Sequence, residues 1–339
     1  SGRTLRVMRD DNALVLRASC GRWSGEPQWW ERFEYPVEQD RGYDHEECSI
    51  VASTLEIPLT PAQPRFELTA EMDAFVPIAP TSNRHMIRPV DERLVLAANQ
   101  FVVARTSSSP TTPRMSIIAG YPWFADWGRD AMISLPGLLI QTGRLDDARL
   151  VLETFAGSIK DGLIPNRFDD RDLHTAHYNT ADASLWFLHA LHAWIKASGG
   201  SSSPGAADLL GVAMTIIDAH LAGNCPGVRI AEDGLIEAGI EGEALTWMDA
   251  RINGVALTPR IGKPVELSAL WHSGLRLIAS LLDDHNQGRL LAEADRTSTS
   301  FAAFWNDDLQ CCYDILTKNG KSWHGDASIR PNQIFAVSL

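Results

Sequence analysis

Hydrophobic residues follow two different patterns along the chain. Over the first seventy residues, short apolar or alternating runs are broken by Gly, Pro and Asp, as in ALVLRA (13–18), SIVASTLEIPL (49–59) and RFELTAEMDAF (65–75). Such runs predict short β-strands. PIAPTSNRHMIRP (77–89) has three prolines and little periodicity, which is typical of a linker. We therefore predict a β-rich domain over 1–76, a linker over 77–92 and a second domain over 93–339.

From about residue 90 the apolar residues recur at helical spacing. RLDDARLVLETFAGSI (144–159) places Leu145, Ala148, Leu152, Phe155 and Ile159 on one face. The same period predicts helices in six further segments: ERLVLAANQFVV (92–103), RDAMISLPGLLIQTG (129–143), TADASLWFLHALHAWIKA (180–197), AADLLGVAMTIIDAHLAG (206–223), PVELSALWHSGLRLIASLLDD (264–284) and GRLLAEADRTSTSFAAFWND (288–307). Several are apolar nearly all round, as in helices that lie between layers.

The connections between these helices are of two kinds. Some are short, and others are long and rich in Trp, Asp, Arg, Asn and Pro: YPWFADWGRD (121–130), LIPNRFDDRDLHTAHYNTAD (163–182), EALTWMDARINGVALTPRIGKPVE (243–266) and SWHGDASIRPNQ (322–333). Long loops are usually functional. In antiparallel helical pairs every second connection lies at the same end. The pattern therefore indicates a mostly α domain, an (α/α) toroid with a pocket at one end of its inner ring.

Composition and charge narrow the possible ligands. The chain of 339 residues is 45% hydrophobic and 22% charged, which suits a globular protein with a core. Its net charge of -13 argues against nucleic acid or an anionic membrane as a partner. No apolar run is long enough for a membrane span. A neutral ligand is compatible with all of this.

The five cysteines are odd in number and form no CxxC pair, so we expect reduced thiols in a cytoplasmic protein. No zinc-ligand spacing accompanies them, and we expect neither a metal nor a cofactor. The chain begins SGRTLRVMRD, without Met, and RPNQIFAVSL ends inside an apolar run. We expect a fragment at both ends. The sequence gives no indication of the oligomeric state.

The long loops combine flat aromatic rings with carboxylate, amide and guanidinium groups. Sugars present apolar C–H faces that stack on such rings and hydroxyls that hydrogen-bond to such polar groups. A phosphate site would instead favour a Gly-rich loop, and neither GxGxxG nor GxxxxGK[ST] occurs. HExxH and GxSxG are also absent, which leaves a zinc protease or a serine hydrolase without support. The loops favour a neutral carbohydrate ligand.

Asp249 in LTWMDA (245–250) is the strongest catalytic candidate. It follows Trp247 in a loop, and a carboxyl beside a bulky ring loses hydration and becomes suited to donate a proton. Cleavage of a glycosidic bond uses such an acid with a second carboxylate. From chemistry alone, Asp249 could equally cap a helix or pair with Arg251.

Other candidates also have structural interpretations. Asp130 could form only an ion pair with Arg129 at a helix start, and Asp182 could only complement a helix dipole. Trp194 fits a helix core. Glu266 could complement a helix dipole or reach the pocket, and the sequence does not separate these two roles.

Taken together, six ordered segments resemble the C-terminal domain of glycogen debranching enzymes: WFADWGRDAMISLPGLLIQTGR (123–144), GLIPNRF (162–168), YNTADASLWF (178–187), LTWMDA (245–250), TPRIGKPVEL (258–267) and ASIRPNQIF (327–335). WWERFEYPVEQDRG (29–42) more weakly resembles the β domain that precedes it in bacterial and archaeal members. The resemblance implies an (α/α)6 toroid, truncated at its C-terminal end, behind a small β-sandwich-like domain.

The family also implies a function and a site. Its reaction is the hydrolysis of α-1,6-linked glucose from trimmed branches of glycogen (amylo-α-1,6-glucosidase activity), with inversion and without metal. Asp249 corresponds to the general acid. The α-glucan substrate is expected to contact Trp127, Arg129, Asp130, Asn166, Arg167, Tyr178, Asn179, Asp182, Trp247, Arg330 and Asn332.

One departure from the family pattern leaves alternatives open. The general base of the family lies downstream of RPNQ and is expected beyond Leu339, so the fragment itself could be inactive. An α-glucan-binding protein without turnover is therefore the second hypothesis. Another toroid enzyme, such as a trehalase-like hydrolase or a disaccharide phosphorylase, is the third.

Overall fold

The computed structural model describes residues 3–9, 12–36, 39, 45–58, 66–72, 92–105, 114–121, 124–169, 175–282, 285–320 and 322–339. The chain divides into two compact units, Ser1–Ala79 and Pro80–Leu339. The linker predicted over 77–92 lies outside the described residues except for its last residue. Each unit is considered by itself below.

The first unit is built from antiparallel strands, which confirms the strands predicted there. Strand β2 (Asn12–Ala18) pairs with both β1 (Thr4–Arg9) and β7 (Leu68–Met72), β3 (Arg22–Ser24) pairs with β6 (Thr54–Glu56), and β4 (Gln28–Glu34) pairs with β5 (Glu46–Val51). Ala13 and Val15 point to the same side of β2 and are buried, as the two-residue period of a strand requires. A two-layer sandwich stays a prediction.

The second unit is mostly helical, as predicted. A π-helical turn, Pro136–Ile140, continues the second helix, and 3-10 turns span Phe301–Phe304 and Pro331–Ile334. The α-helices are α1 (Glu92–Phe101), α2 (Gly128–Leu135), α3 (Leu145–Ala156), α4 (Ala183–Ala197), α5 (Ala206–Ala222), α6 (Val265–Ala279), α7 (His285–Ser300) and α8 (Phe335–Ser338).

Helices α4 and α6 form the centre of this unit. Helix α4 packs on α2 and α6, and α6 also packs on α7. Phe187 and Trp271 are fully buried, and Trp194 is buried with its indole N–H donating to the Leu145 carbonyl at 3.0 Å. Helices buried on most sides agree with their nearly continuous apolar sequences. A closed ring of helical pairs stays a prediction.

Short hairpins interrupt several segments that the sequence analysis assigned differently. The helix predicted over 92–103 ends at Phe101, because Val102 begins β8 (Val102–Arg105), and β-branched residues favour strands. The helix predicted over 288–307 ends at Ser300, before β17 (Trp305–Asn306). The segment SWHGDASIRPNQ is predicted as a loop, but its first part is the strand β20 (Ser322–Asp326), which pairs with β19 (Ile315–Asn319). The remaining short strands are β9 (Arg114–Ile117), β10 (Arg167–Phe168), β11 (Ala176–His177), β12 (Val228–Ile230), β13 (Ile236–Ala238), β14 (Arg251–Ile252), β15 (Val255–Ala256), β16 (Lys263–Pro264) and β18 (Cys311–Cys312).

Among the described residues, no helix has both the length and the apolar character needed to cross a lipid bilayer.

A glycine fixes the distance between α2 and the chain that precedes β10. The Gly128 amide donates to the Asn166 carbonyl at 2.8 Å, and a Cβ on Gly128 would lie 2.1 Å from the Pro165 carbonyl oxygen. Because that obstacle is backbone, it cannot rotate away. Only glycine therefore allows this close approach.

We expect Gly128→Ala to destabilise the protein by about 1–3 kcal/mol through overpacking. Gly137→Ala is the matched control, since a Cβ there meets nothing within 4 Å and alanine is the better helix former. Urea unfolding monitored by circular dichroism measures both. Equal stability of the two variants would contradict the proposed steric limit.

Candidate active site

The WGRD segment opens α2 with charged residues at one end of the helix. Trp127 forms an antiparallel bridge with Arg167 through the backbone, and the Arg167 guanidinium lies 5.6 Å from the centre of the Trp127 ring. Arg129 and Asp130 follow in the first turn. The Arg129 side chain is 13% exposed, so its charge requires partners within the protein.

Asp182 is the main partner of Arg129. Its Oδ2 accepts a hydrogen bond from Arg129 Nε at 2.5 Å, and its Oδ1 accepts one from the Thr180 hydroxyl at 3.1 Å. Asp182 stands directly before α4 but makes no side-chain capping bond to that helix. Its contacts therefore bind it to α2, and a role limited to the dipole of α4 does not account for them.

Asp249 approaches the same guanidinium from a third segment. Its Oδ2 lies 3.6 Å from Arg129 Nη1, and its side chain is 36% exposed. Neither structural interpretation raised for Asp249 holds: no helix begins at this loop residue, and Arg251 pairs with Glu243 instead. Trp247, two residues before Asp249, is 37% exposed. An accessible carboxyl thus lies beside a cation and follows an exposed aromatic residue in the sequence.

The charges in this cluster alter one another's protonation. Burial acts to lower the pKa of Arg129, but Asp182, Asp249 and Asp130 raise it above its usual value. The pKa of Asp130 is raised by partial desolvation, with Asp182 and Asp249 contributing in the same direction and Arg129 acting against them. The ion pairs of Arg129 within 4 Å are with Asp182 and Asp249, so the interpretation of Asp130 as only the ion-pair partner of Arg129 does not hold.

The other predicted sugar-binding residues before α4 differ in accessibility. Asn166 is 2% exposed and donates to the Asn179 side chain at 3.3 Å, whereas Asn179 itself is exposed. The Tyr178 hydroxyl donates to the Ser158 carbonyl at 2.7 Å, and burial followed by the charge of Asp161 raises the pKa of Tyr178. Asn166 and Tyr178 are thus engaged within the protein.

Arg330 and Asn332 belong to a second charged cluster. Asn332 is 3% exposed, and its amide donates to Glu266 at 2.8 Å and to Asp314 at 2.9 Å. Arg330 donates to Asp314 at 2.5 Å. At the centre lies Arg260, which donates to both oxygens of Glu266 and of Asp314. We call these five residues the Arg260 cluster.

The Arg260 cluster joins the loop that carries Asp249 to the end of the described chain. Glu266 is 2% exposed and Asp314 fully buried, so neither faces solvent. The sequence left two roles open for Glu266, a helix dipole partner or a pocket residue. Its place in the buried Arg260 cluster is a third role that neither alternative included. Arg260 and Asp314 lack any local signal, since 54 residues separate them. In the sequence, only the resemblance of the segments TPRIGKPVEL and ASIRPNQIF to the family pattern drew attention to this region.

Within the described part of the chain, no group of three or more His, Cys, Asp and Glu side chains is arranged to hold a metal ion. The five cysteines are free thiols. Burial lowers the pKa of His189 and of His192, which keeps both imidazoles neutral in α4.

Comparison with known proteins identifies the family. The amylo-alpha-1,6-glucosidase family matches residues 96–339, and the glycogen debranching enzyme N-terminal family matches residues 1–65. The first match covers well over half of the chain. The chain therefore belongs to the amylo-alpha-1,6-glucosidase family of glycogen debranching enzymes, which confirms the resemblance found in the sequence.

A curated relative agrees with this assignment. The glycogen debranching enzyme of Saccharomyces cerevisiae (strain ATCC 204508 / S288c) is 29% identical over 234 residues, which cover 52% of this chain and 15% of the yeast protein. The chain thus spans much less than two thirds of that relative.

Solved structures of carbohydrate-active proteins are distantly similar. A family 76 glycoside hydrolase from a bovine Bacteroides thetaiotaomicron strain has a TM-score of 0.40 and 12% identity, over 95% of this chain and 67% of that chain. The unsaturated glucuronyl hydrolase of Bacillus sp. GL1 has a TM-score of 0.38 and 20% identity, over 55% of this chain and 49% of that chain. Similarities this low do not bear on function.

We expect Arg260→Met to cost about 3–5 kcal/mol of unfolding free energy, because it leaves the carboxylates of Glu266 and Asp314 buried and undercompensated. Arg229→Met is the matched control. Arg229 pairs with Glu237 at 2.8 Å but is 60% exposed, so its loss should cost below about 1 kcal/mol. Urea denaturation of both variants measures the difference, and similar losses would show that the Arg260 cluster does not stabilise the fold.

Proposed function

We propose that this chain is part of a glycoside hydrolase that removes α-1,6-linked glucose from trimmed branches of glycogen-like α-glucan. The family match supports the class of substrate. The observation that carries the proposal is the position of Arg129, whose guanidinium lies within 4 Å of both Asp182 and Asp249. Three segments that are distant in sequence thus converge on the Arg129 guanidinium, and one of them carries the accessible carboxyl of Asp249.

In this proposal Asp249 is the general acid. Protonation of the glycosidic oxygen by Asp249 allows the bond to the anomeric carbon to break, while a second carboxylate activates water on the opposite face of the ring. Inversion requires the two carboxyl groups to lie roughly 6.5–9.5 Å apart. By its family resemblance, we propose that the general base follows Leu339.

Six predicted residues that keep some exposed surface are proposed to bind the sugar directly. The rings of Trp127 and Trp247 provide stacking surfaces for apolar sugar faces, and Arg129 and Asp130 provide hydrogen bonds to hydroxyls. Arg167 and Asn179 extend this surface.

The buried residues of the predicted set have a different proposed role. Asn166, Asp182 and Asn332 are each at most 3% exposed, which favours indirect roles in which they hold their neighbours in place. Tyr178 and Arg330 are partly buried and are held by Ser158 and Asp314. Their contribution to sugar binding is proposed to depend on the same support.

We expect Asp249→Asn to lower kcat for glucose release by about 10²- to 10⁴-fold, because the amide cannot donate the proton. The substrate is a maltooligosaccharide with a single α-1,6-glucosyl branch, and released glucose is quantified enzymatically. The assay uses the longest natural chain that contains these 339 residues, alongside the 339-residue chain itself. Sugar affinity, measured by calorimetry, should change little.

Asp308→Asn is the control, since Asp308 is an exposed loop carboxylate and should retain full activity. Sugar binding without glucose release by the natural chain would overturn the hydrolase proposal and support an α-glucan-binding protein. Release that requires inorganic phosphate and yields glucose 1-phosphate would indicate a phosphorylase. Release from trehalose in preference to the branched substrate would indicate a trehalase-like hydrolase.

A further inference from the structure

Asp182 has no free oxygen with which to bind a sugar. The residue is 3% exposed, its Oδ2 is occupied by Arg129 Nε and its Oδ1 by the Thr180 hydroxyl. The same hydroxyl also accepts a hydrogen bond from the Ala183 amide at 3.2 Å, so Thr180 itself is fixed at the start of α4. Asp182 is therefore held rigidly and faces one cation.

We propose that Asp182 is a positioning residue, which orients the Arg129 guanidinium toward Asp249 and the sugar and does not contact the sugar itself. This inference rests on the proposed function and assigns to Asp182 a different role from the one its motif implied. The carboxylate acts on the substrate only through Arg129.

The geometry of the guanidinium explains how one contact sets the direction of another. Its five N–H groups lie in one plane in a fixed fork. The bond of 2.5 Å between Arg129 Nε and Asp182 restricts the rotation of the group, and Nη1 lies 3.6 Å from Asp249. Because 3.6 Å is longer than a normal hydrogen bond, Nη1 keeps donor capacity for a sugar hydroxyl.

The charges that meet at this point come from three segments. Arg129 and Asp130 come from α2, Asp182 precedes α4, and Asp249 lies in its loop, where the nearby Arg251 is directed to Glu243. Without the charge of Asp182, Arg129 would be compensated by Asp130 and Asp249 alone. The pKa of Asp130, which Asp182 helps to raise, should then fall.

A double-mutant cycle with Asp182→Asn and Arg129→Met tests the proposal in the natural chain. If Asp182 acts only through Arg129, Asp182→Asn alone lowers kcat/KM roughly tenfold or more, and adding it to Arg129→Met lowers kcat/KM no further. If Asp182 binds the sugar directly, the two losses multiply. A multiplicative result would overturn the proposal.

Two readouts do not require activity. The NMR signal of the Asp130 carboxyl carbon is assigned by its absence from the spectrum of Asp130→Asn. Its chemical shift is followed against pH, and the pKa of Asp130 should be lower in Asp182→Asn than in the parent protein. Thermal unfolding should show that Asp182→Asn raises the Tm of Arg129→Met, because it removes a buried carboxylate left without its cation. An unchanged Asp130 pKa together with no rise in Tm would contradict the positioning role even if the protein proved not to be a hydrolase.

Asp126→Asn is the matched control. Asp126 is 4% exposed and is held by Arg105 through bonds of 2.6 and 2.7 Å, so its substitution disturbs an equally buried pair in the loop that leads into α2. We expect lower stability, a kcat/KM within about twofold of the parent protein and an unchanged Asp130 pKa. Should Asp182→Asn not fold, Thr180→Val provides the milder variant, because it removes the hydrogen bond that holds Asp182 Oδ1; it should lower kcat/KM by a smaller factor and cause no further loss in the Arg129→Met background.

Discussion

Compensation of buried arginine charge is the constraint on which the loop structure of the helical unit depends. Arg129 and Arg260 are both largely removed from solvent, and each is paired with a carboxylate more than fifty residues away in the sequence, Asp182 for Arg129 and Asp314 for Arg260. A buried guanidinium without such partners would be strongly destabilising. The loops that supply the carboxylates must therefore fold together around each cation. This requirement brings the loop of Asp249 against α2 on one side and against the chain of Arg330 on the other.

Sequence reasoning recovered the parts of the structure that depend on local pattern. The helical periodicity of residues 144–159 and the strand runs of the first seventy residues both correspond to observed elements, because neighbouring side chains decide which face of each element is buried. Arg129, Asp182 and Asp249 were also expected to belong to one site, but through family resemblance. Their convergence at Arg129 gives that grouping a physical basis.

What sequence reasoning missed depends on pairing at long range. The hairpin of β19 and β20 is an exception, because Asn319-Gly320 at its turn is the local signal that typically predicts such a structure, and the sequence analysis did not use it. Asp314 lies in an unremarkable stretch, and its importance comes only from Arg260, 54 residues earlier. Likewise, the burial of Asp182 cannot be read from a motif that merely contains it. A motif records which residues occur together, whereas accessibility depends on how the whole unit folds around them.

Arg260 also adopts a left-handed backbone conformation, with φ of 45°. Residues with a Cβ occupy this region at a cost, which glycine avoids. Glycine at this position would relax the backbone but leave two buried carboxylates without their cation, and lysine would keep the charge but lose the planar fork that holds both. The backbone conformation at this position thus favours glycine, whereas the buried carboxylates require the side chain of arginine. The range of residues that the position accepts should be narrower than either burial or charge alone would set.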